Sequence, residues 1–303
     1  VTKIQGLTLS YAYGDEITTW PESFFQMLKS RLSVPGAKFD GTCNPESPYH
    51  YLKTFIDTAE NLQHFHFTID DNSFLDPEFI TAIKSEYVGM WYRRYILGEW
   101  CMAEGLVYDM FNESVVVNEI PQIKKISCIG VDYGVSNPTA FIMIGEGIDG
   151  NLYALKEYYY GSGNTMTSRR TALDHANHMI EFIAGQRVGW IFVDPSAIEF
   201  ITQLWRMRSK NQNFSRIANA DNDVANGIRR VSSLMGSRRL FIHRSCSNLI
   251  KEIQNYVWDA KAQERGEDKP VKQNDHACDA LRYAIASMNT EKYLNGTLEA
   301  AVA

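Results

Sequence analysis

From residue 126 onward the apolar positions change period, from strand-like to helical and back. Apolar-rich stretches predict strands over 127–133, 139–145 and 152–160. Asp149-Gly150-Asn151 lies between the second and third, so these two should form a hairpin. Leu173, Ala176, Met179, Ile180 and Ile183 then share one face at helical spacing and predict a helix over 167–184. Trp190-Ile191-Phe192-Val193 is a continuous apolar run, the pattern of a strand covered on both faces, and it ends on Asp194-Pro195. Helices are expected over 197–209, 223–235 and 245–258, with a short strand before 223 and another over 239–243. The last helix is expected over 275–288, with Asn274 as its N-cap. Three antiparallel-type strands followed by alternating helices and strands form an α/β pattern.

Upstream, the stretch 87–100 is rich in aromatic residues and reads as a helix that packs on a neighbour. His64-Phe65-His66 alternates as on a strand, where a structural role is preferred to metal binding. Residues 112–125 are mixed and polar, with Pro121. The clearest seam therefore lies between Gly98 and Lys125. It divides the chain into a region over 1–105, a linker over 106–125, a domain over 126–290 and a tail over 291–303.

Composition narrows the class. The 303 residues are 45% hydrophobic and 22% charged, the balance of a globular protein with room for two domains. No apolar run reaches about 18 residues and no basic-then-apolar leader opens the chain, so neither a membrane span nor a signal peptide is expected. Five scattered cysteines form no CxxC pair, so zinc-site spacing is absent and a reducing, cytosolic setting is expected. A formal charge of −6 argues against a protein that coats DNA. It still allows an enzyme with a local basic track beside an acidic metal centre.

Three acids stand out. Asp132 ends the apolar strand Ile129-Gly130-Val131-Asp132, and Asp194 ends the apolar run at 190–193. A buried carboxylate is costly unless it is paired or bound to a cation, although either acid could simply cap a turn or helix. In the last helix, Asp275, His276, Asp279, Arg282 and Tyr283 fall on one face, and Ala277, Leu281, Ala284, Ile285 and Met288 on the other. Together these sites suit two Mg²⁺ or Mn²⁺ ions about 4 Å apart, the arrangement that hydrolyses phosphodiesters. Asp132 would bridge both ions, Asp194 would hold one and Asp279 the other. His276 would hold a water or move a proton. Asp275 is an extra ligand or a helix-start acid, and Lys272 a phosphate contact or a surface lysine.

At these residues the chain resembles the large terminase subunit of tailed bacteriophages. Asp275-His276-Ala277-Cys278-Asp279-Ala280-Leu281-Arg282-Tyr283 is similar to that family's final nuclease motif, and Glu252 to Asp259 and the lysine-containing stretch leading to Asn274 also resemble it. The resemblance implies a ribonuclease-H-like mixed sheet flanked by helices, with metal acids at Asp132, Asp194 and Asp279 and a motif histidine at His276. Leu7 to Glu16 resembles the family's Walker B strand, in which Asp15 would hold the Mg²⁺ of ATP through water and Glu16 would polarise the attacking water. Gly41-Thr42-Cys43-Asn44-Pro45 resembles the coupling motif that senses the γ-phosphate. Residues 92–100 and 103–108 resemble the junction between ATPase and nuclease. No GxxxxGK[ST] phosphate loop occurs, so 1–105 is expected to be a partial P-loop ATPase-type α/β region, with no ATP hydrolysis by this chain alone.

The family implies cleavage of concatemeric double-stranded DNA in the cytoplasm of an infected or lysogenic bacterial host. Its partners would be the small terminase subunit and the portal protein, with oligomers only in the assembled motor. A resolvase or transposase on the same fold is the competing enzyme reading. A packaging-motor scaffold that docks on the portal without cutting is the non-enzymatic one. Arg229-Arg230, Arg238-Arg239 and Arg206, Arg208 and Lys210 are basic clusters that are either DNA contacts or solvated surface. The charged stretch 261–272 is expected either as a mobile hairpin or loop over the site or as a plain surface loop.

Overall fold

A computed structural model describes residues 4–135, 137–161 and 170–288. In chain order the first elements are β1 (Tyr11–Gly14), α1 (Glu22–Arg31), β2 (Lys38–Gly41), α2 (Tyr51–Thr58), α3 (Pro77–Glu86) and α4 (Gly89–Tyr95). Next come β3 (Val116–Val117), β4 (Ile123–Asp132), β5 (Thr139–Gly147), β6 (Leu152–Tyr160), α5 (Ala172–Ile183), β7 (Val188–Val193) and α6 (Ile198–Arg206). The last are β8 (Ile217–Asn219), α7 (Val224–Gly236), β9 (Leu240–His243), α8 (Ser247–Asn255), α9 (Ala260–Gln263) and α10 (His276–Ser287).

The chain groups into two compact units. The first takes the described residues up to Ile80, Gly89–Glu104 and Asp259–Lys269. The second takes Thr81–Val88, Gly105–Trp258 and the described residues from Pro270. Two segments thus lie apart from the divisions drawn on the sequence: Thr81–Val88 joins the second unit, and Asp259–Lys269 joins the first. The expected linker over 106–125 is part of the second unit, carrying β3 and the start of β4.

The second unit is built on a seven-stranded mixed sheet, in the order β3-β9-β6-β5-β4-β7-β8. β4, β5 and β6 form an antiparallel meander, and the remaining pairings are parallel. Alternation along β4 gives the strand two different faces. Ile129 and Val131 pack into a core with Ala176, Met179 and Ile183 of α5 and Phe200 and Leu204 of α6. Burying each of the larger side chains contributes about 1.5–3 kcal/mol. Cys128 and Gly130 face the other way: the Cys128 thiol lies 3.6 Å from the Ala284 carbonyl of α10, and Gly130 lies under Ala280 and Ala284. Asp132 shares this parity, so it points toward α10.

Most strands and helices lie within a few residues of their expected positions, and the exceptions have local causes. β4 begins at Ile123, four residues before the expected strand. α5 begins at Ala172 because Thr171 and Asp174 form a capping box; the expected residues 167–169 lie outside the described ones. α8 stops at Asn255, since Tyr256 turns extended and Val257 and Trp258 bridge Leu106 and Pro270. The expected helix over 87–100 is only α4, which opens on left-handed Gly89 and is followed by left-handed Gly98. His64-Phe65-His66 pairs in no strand; His66 Nε2 sits 3.1 Å from the Leu97 carbonyl.

The first unit pairs β1 with β2 in parallel, with Gly14 opposite Gly41. Ile17, Phe25 and Leu52 form its small core, edged by Trp20, Phe39 and Phe55. Buried Arg94 pairs with Asp268 and donates to the Cys101 carbonyl. No helix among the described residues is long and apolar enough to cross a membrane.

Candidate active site

Strand register brings the first two acids together. β4 and β7 are parallel neighbours, with Val131 opposite Val193. Asp132 is the last residue of β4, Asp194 follows β7, and the Asp194 N–H donates to the Val131 carbonyl at 3.3 Å. Both carboxylates therefore leave the carboxyl edge of the sheet side by side, where open α/β sheets place their ligands.

The third acid comes from α10, and a glycine lets it come close. A Cβ at position 130 would run into the Ala280 carbonyl and lie 2.8 Å from the Ala284 methyl. With hydrogen there instead, α10 lies directly on β4 and its first turn reaches the strand end. His276 Nδ1 then stands 2.8 Å from Asp132 Oδ2. Asp279 Oδ1 accepts from Arg282 Nε and Nη2 at 3.2 and 2.9 Å, and its Oδ2 accepts from Lys272 Nζ at 2.9 Å. Tyr283 donates to Asp194 Oδ2 at 2.7 Å, and the Ser196 N–H donates to Oδ1 at 2.7 Å. Asp132, Asp194, Asp279, His276 and Lys272 all line one polar cleft of about 500 Å³.

The electrostatics follow from this crowding. Burial raises the Asp132 carboxyl, and although the His276 hydrogen bond opposes it, repulsion from Asp279 and Asp194 adds to the rise. Burial would lower His276, but the hydrogen bond and charge of Asp132 outweigh it and hold the imidazole above its usual value. Burial likewise disfavours the charged form of Asp194, yet its bonds from Tyr283 and Ser196 keep it below the usual carboxylate range. Burial disfavours the Lys272 ammonium, but Asp279 and Asp275 together raise it.

Carboxylate oxygens are the donors that Mg²⁺ and Mn²⁺ prefer. Among the described residues, however, no three His, Cys, Asp or Glu side chains stand close enough to hold one ion. Protein cations occupy the acids instead: Lys272 and Arg282 at Asp279, and His276 at Asp132. Repulsion from Asp279 and Asp194 still raises the Asp132 carboxyl beside these cations. Three carboxylates on one cleft are donors of the kind a hard cation takes, and Lys272 is the exposed cation among their partners.

The sequence pattern predicts Asn274 as the cap of α10, and the structure differs. Asn274 is left-handed at φ 51°, and Asp275 holds the N-cap position without a side-chain cap bond. Glu252 of α8 supplies the acceptor, a role that sequence reasoning misses. Its one signal is an acid on the face of α8 that buries Leu249 and Ile253. Asp275 is 6% exposed, with its Oδ2 3.3 Å from Lys272. Four of the arginines read as DNA contacts or surface have partners within the protein: Arg208 donates to the Trp205 carbonyl, Arg229 to Asn226, Arg230 to the Ala286 carbonyl and Arg239 to Asn151.

A family model of the terminase RNaseH-like domain matches residues 129–288, and one of the terminase large subunit, T4likevirus-type, N-terminal, matches residues 2–115. The chain belongs to the large terminase family of tailed bacteriophages. The terminase large subunit of Escherichia phage T5 is 28% identical over 289 residues, which are 89% of this chain and 63% of that protein. The chain therefore spans less than two thirds of the length of this curated relative. The large terminase of a thermophilic bacteriophage, solved with bound nucleotide, is 39% identical, with a TM-score of 0.85. Its complex with ADP covers 95% of this chain and 71% of that one. Its complex with ATP-γ-S covers 94% and 72%.

The first unit of this terminase gathers the other predicted residues. Parallel β1 and β2 end together, so Asp15 and Glu16 leave the same edge as Thr42 and Asn44. The Thr42 hydroxyl donates to Asp15, and Asn44 Nδ2 donates to Glu16 Oε1 at 3.0 Å. Glu16 itself is left-handed at φ 49°, a strained conformation for a glutamate that turns the chain sharply here.

Proposed function

We propose that this chain is the metal-dependent endonuclease of a phage DNA-packaging terminase, cutting concatemeric double-stranded DNA by phosphodiester hydrolysis. One observation carries this reading: Asp132 and Asp194 end adjacent parallel strands, and Asp279 faces them across one polar cleft. Asp132, Asp194 and Asp279 would be the residues that hold the ions. Bound there, Mg²⁺ or Mn²⁺ would supply Lewis acidity at a phosphate oxygen and acidify the attacking water. Arg282, 1% exposed, pairs with Asp279 and fixes its Oδ1. Tyr283 fixes Asp194 in the same way. His276, hydrogen-bonded to Asp132, is the imidazole of the cleft and would take or give a proton there. Lys272 exchanges Asp279 for a phosphate oxygen as DNA enters.

The test is plasmid cleavage with Mn²⁺. Asp132→Asn, Asp194→Asn and Asp279→Asn are each expected to slow cutting by at least about 100-fold. Intact plasmid with the unaltered chain, or full activity in Asp132→Asn, sinks the proposal. The scaffold reading draws support from the protein partners already on every acid. It predicts normal packaging in Asp132→Asn and no Mn²⁺ uptake.

For the first unit we extend the nucleotide binding of the thermophilic phage's terminase to this chain. Asp15 would hold a nucleotide's Mg²⁺ through water, Glu16 would orient the attacking water, and Asn44 would sense the γ-phosphate once a phosphate loop is supplied. The small terminase subunit and the portal protein would be the partners, in the host cytoplasm.

A further inference from the structure

Helix α10 begins without a cap of its own. Asp275 holds the N-cap position and makes no side-chain cap bond. The next residues bury backbone N–H groups that need acceptors, with Ala277 at 0% and Cys278 at 1% exposure. One oxygen from another helix takes both. Glu252 Oε2 accepts from the Ala277 N–H at 2.7 Å and from the Cys278 N–H at 3.1 Å. Glu252 is 5% exposed on α8. A carboxylate is stable in such a place only with hydrogen bonds, and a helix N-terminus favours its charge.

The two capped amides lie between His276 and Asp279. Any shift of this turn moves His276 off Asp132 and Asp279 off Lys272 together. Glu252 does not line the cleft, so it acts through the helix and not as a ligand.

We infer that Glu252 is a positioning residue of the nuclease centre, fixing the first turn of α10 so that His276 and Asp279 face Asp132. This rests on the nuclease reading above.

The test uses the full chain and two readouts: Mn²⁺ affinity by electron paramagnetic resonance, and amide exchange at 277 and 278. Glu252→Ala is expected to weaken Mn²⁺ binding by about 10-fold or more and to speed exchange at both amides. Glu252→Gln keeps an oxygen that can accept two N–H bonds, so it should stay within about 3-fold of the parent. Where Glu252→Ala does not fold, Glu252→Asp, which keeps the charge but falls a methylene short, should weaken binding by about 10-fold. A glutamine variant as weak as the alanine variant would show that the carboxylate itself is a ligand and overturn the inference. Unchanged affinity in a folded alanine or aspartate variant overturns it as well. Absence of Mn²⁺ binding in both the parent and Asp132→Asn is a different result: it sinks the nuclease reading, and the positioning role goes with it.

Discussion

Asp279 has two counter-ions of unequal standing. Arg282 is buried, whereas the Lys272 side chain is 59% exposed. An exposed pair of this kind is worth up to about 1 kcal/mol, or roughly 5-fold in a competing equilibrium. Lys272→Ala is therefore expected to tighten Mn²⁺ binding by up to about 5-fold while slowing DNA cutting at saturating metal. A metal titration beside single-turnover cleavage reads both effects, and weaker binding would make Lys272 a structural support. His175 gives a pH-dependent prediction elsewhere in the second unit. Burial first, then the charges of Arg170 and His178, lower it from 6.5 to about 4. Folded, the ring stays neutral; unfolded, it takes a proton near pH 6.5. Its stabilisation is thus complete above 6.5 and is lost as pH falls toward 4, by at most about 3 kcal/mol. Urea unfolding at pH 7.5 and 5 should show a smaller loss in His175→Phe than in the parent. Asp132, Asp194 and Asp279 were legible because acids at the ends of apolar runs and on a structured helix face demand an explanation. Glu252 was not, because an acid on the apolar face of α8 names no partner, and its bond joins positions 25 residues apart.

At the scale of elements, the site depends on how closely α10 lies on β4. Gly130→Ala forces a methyl against the backbone of α10, and overpacking of this kind costs about 1–3 kcal/mol. The expected result is a lower urea midpoint together with a loss of Mn²⁺ affinity, because the displaced helix carries Asp279. A variant with the parent's midpoint would show that the helix shifts freely. Gly227 has a softer role: a Cβ there meets the flexible stem of Arg282. The meander and β7 were readable as apolar stretches, but β7 is not covered on both faces throughout: Trp190, read as buried, is 50% exposed. Elements set by single backbone conformations were less readable. α4 stops at Tyr95, shortly before left-handed Gly98, and α8 stops at Asn255, shortly before Val257 and Trp258 bridge other segments. Hydrophobic periodicity carries no record of either event.

Across the whole molecule, each unit gathers its own set of acids. DNA cutting should therefore be indifferent to the first set. Glu16→Gln is expected to leave Mn²⁺-dependent plasmid cleavage within about 2-fold of the parent, because no cutting group is in its unit. A larger loss would mean that the two sets work as one. The seam between Gly98 and Lys125 was read from a change in pattern. The return of Asp259–Lys269 to the first unit was not, because it rests on contacts far apart in sequence, chiefly buried Arg94 with Asp268. That return bears on how such chains are inherited. A gene exchange at the seam would pair one ancestor's front with another's back, yet residue 268 travels with the back and residue 94 with the front. A front lacking a cation at 94 would strand a nearly buried carboxylate, at a cost of about 3–5 kcal/mol. Mosaic descendants should therefore keep opposite charges at these two places, or lose both at once.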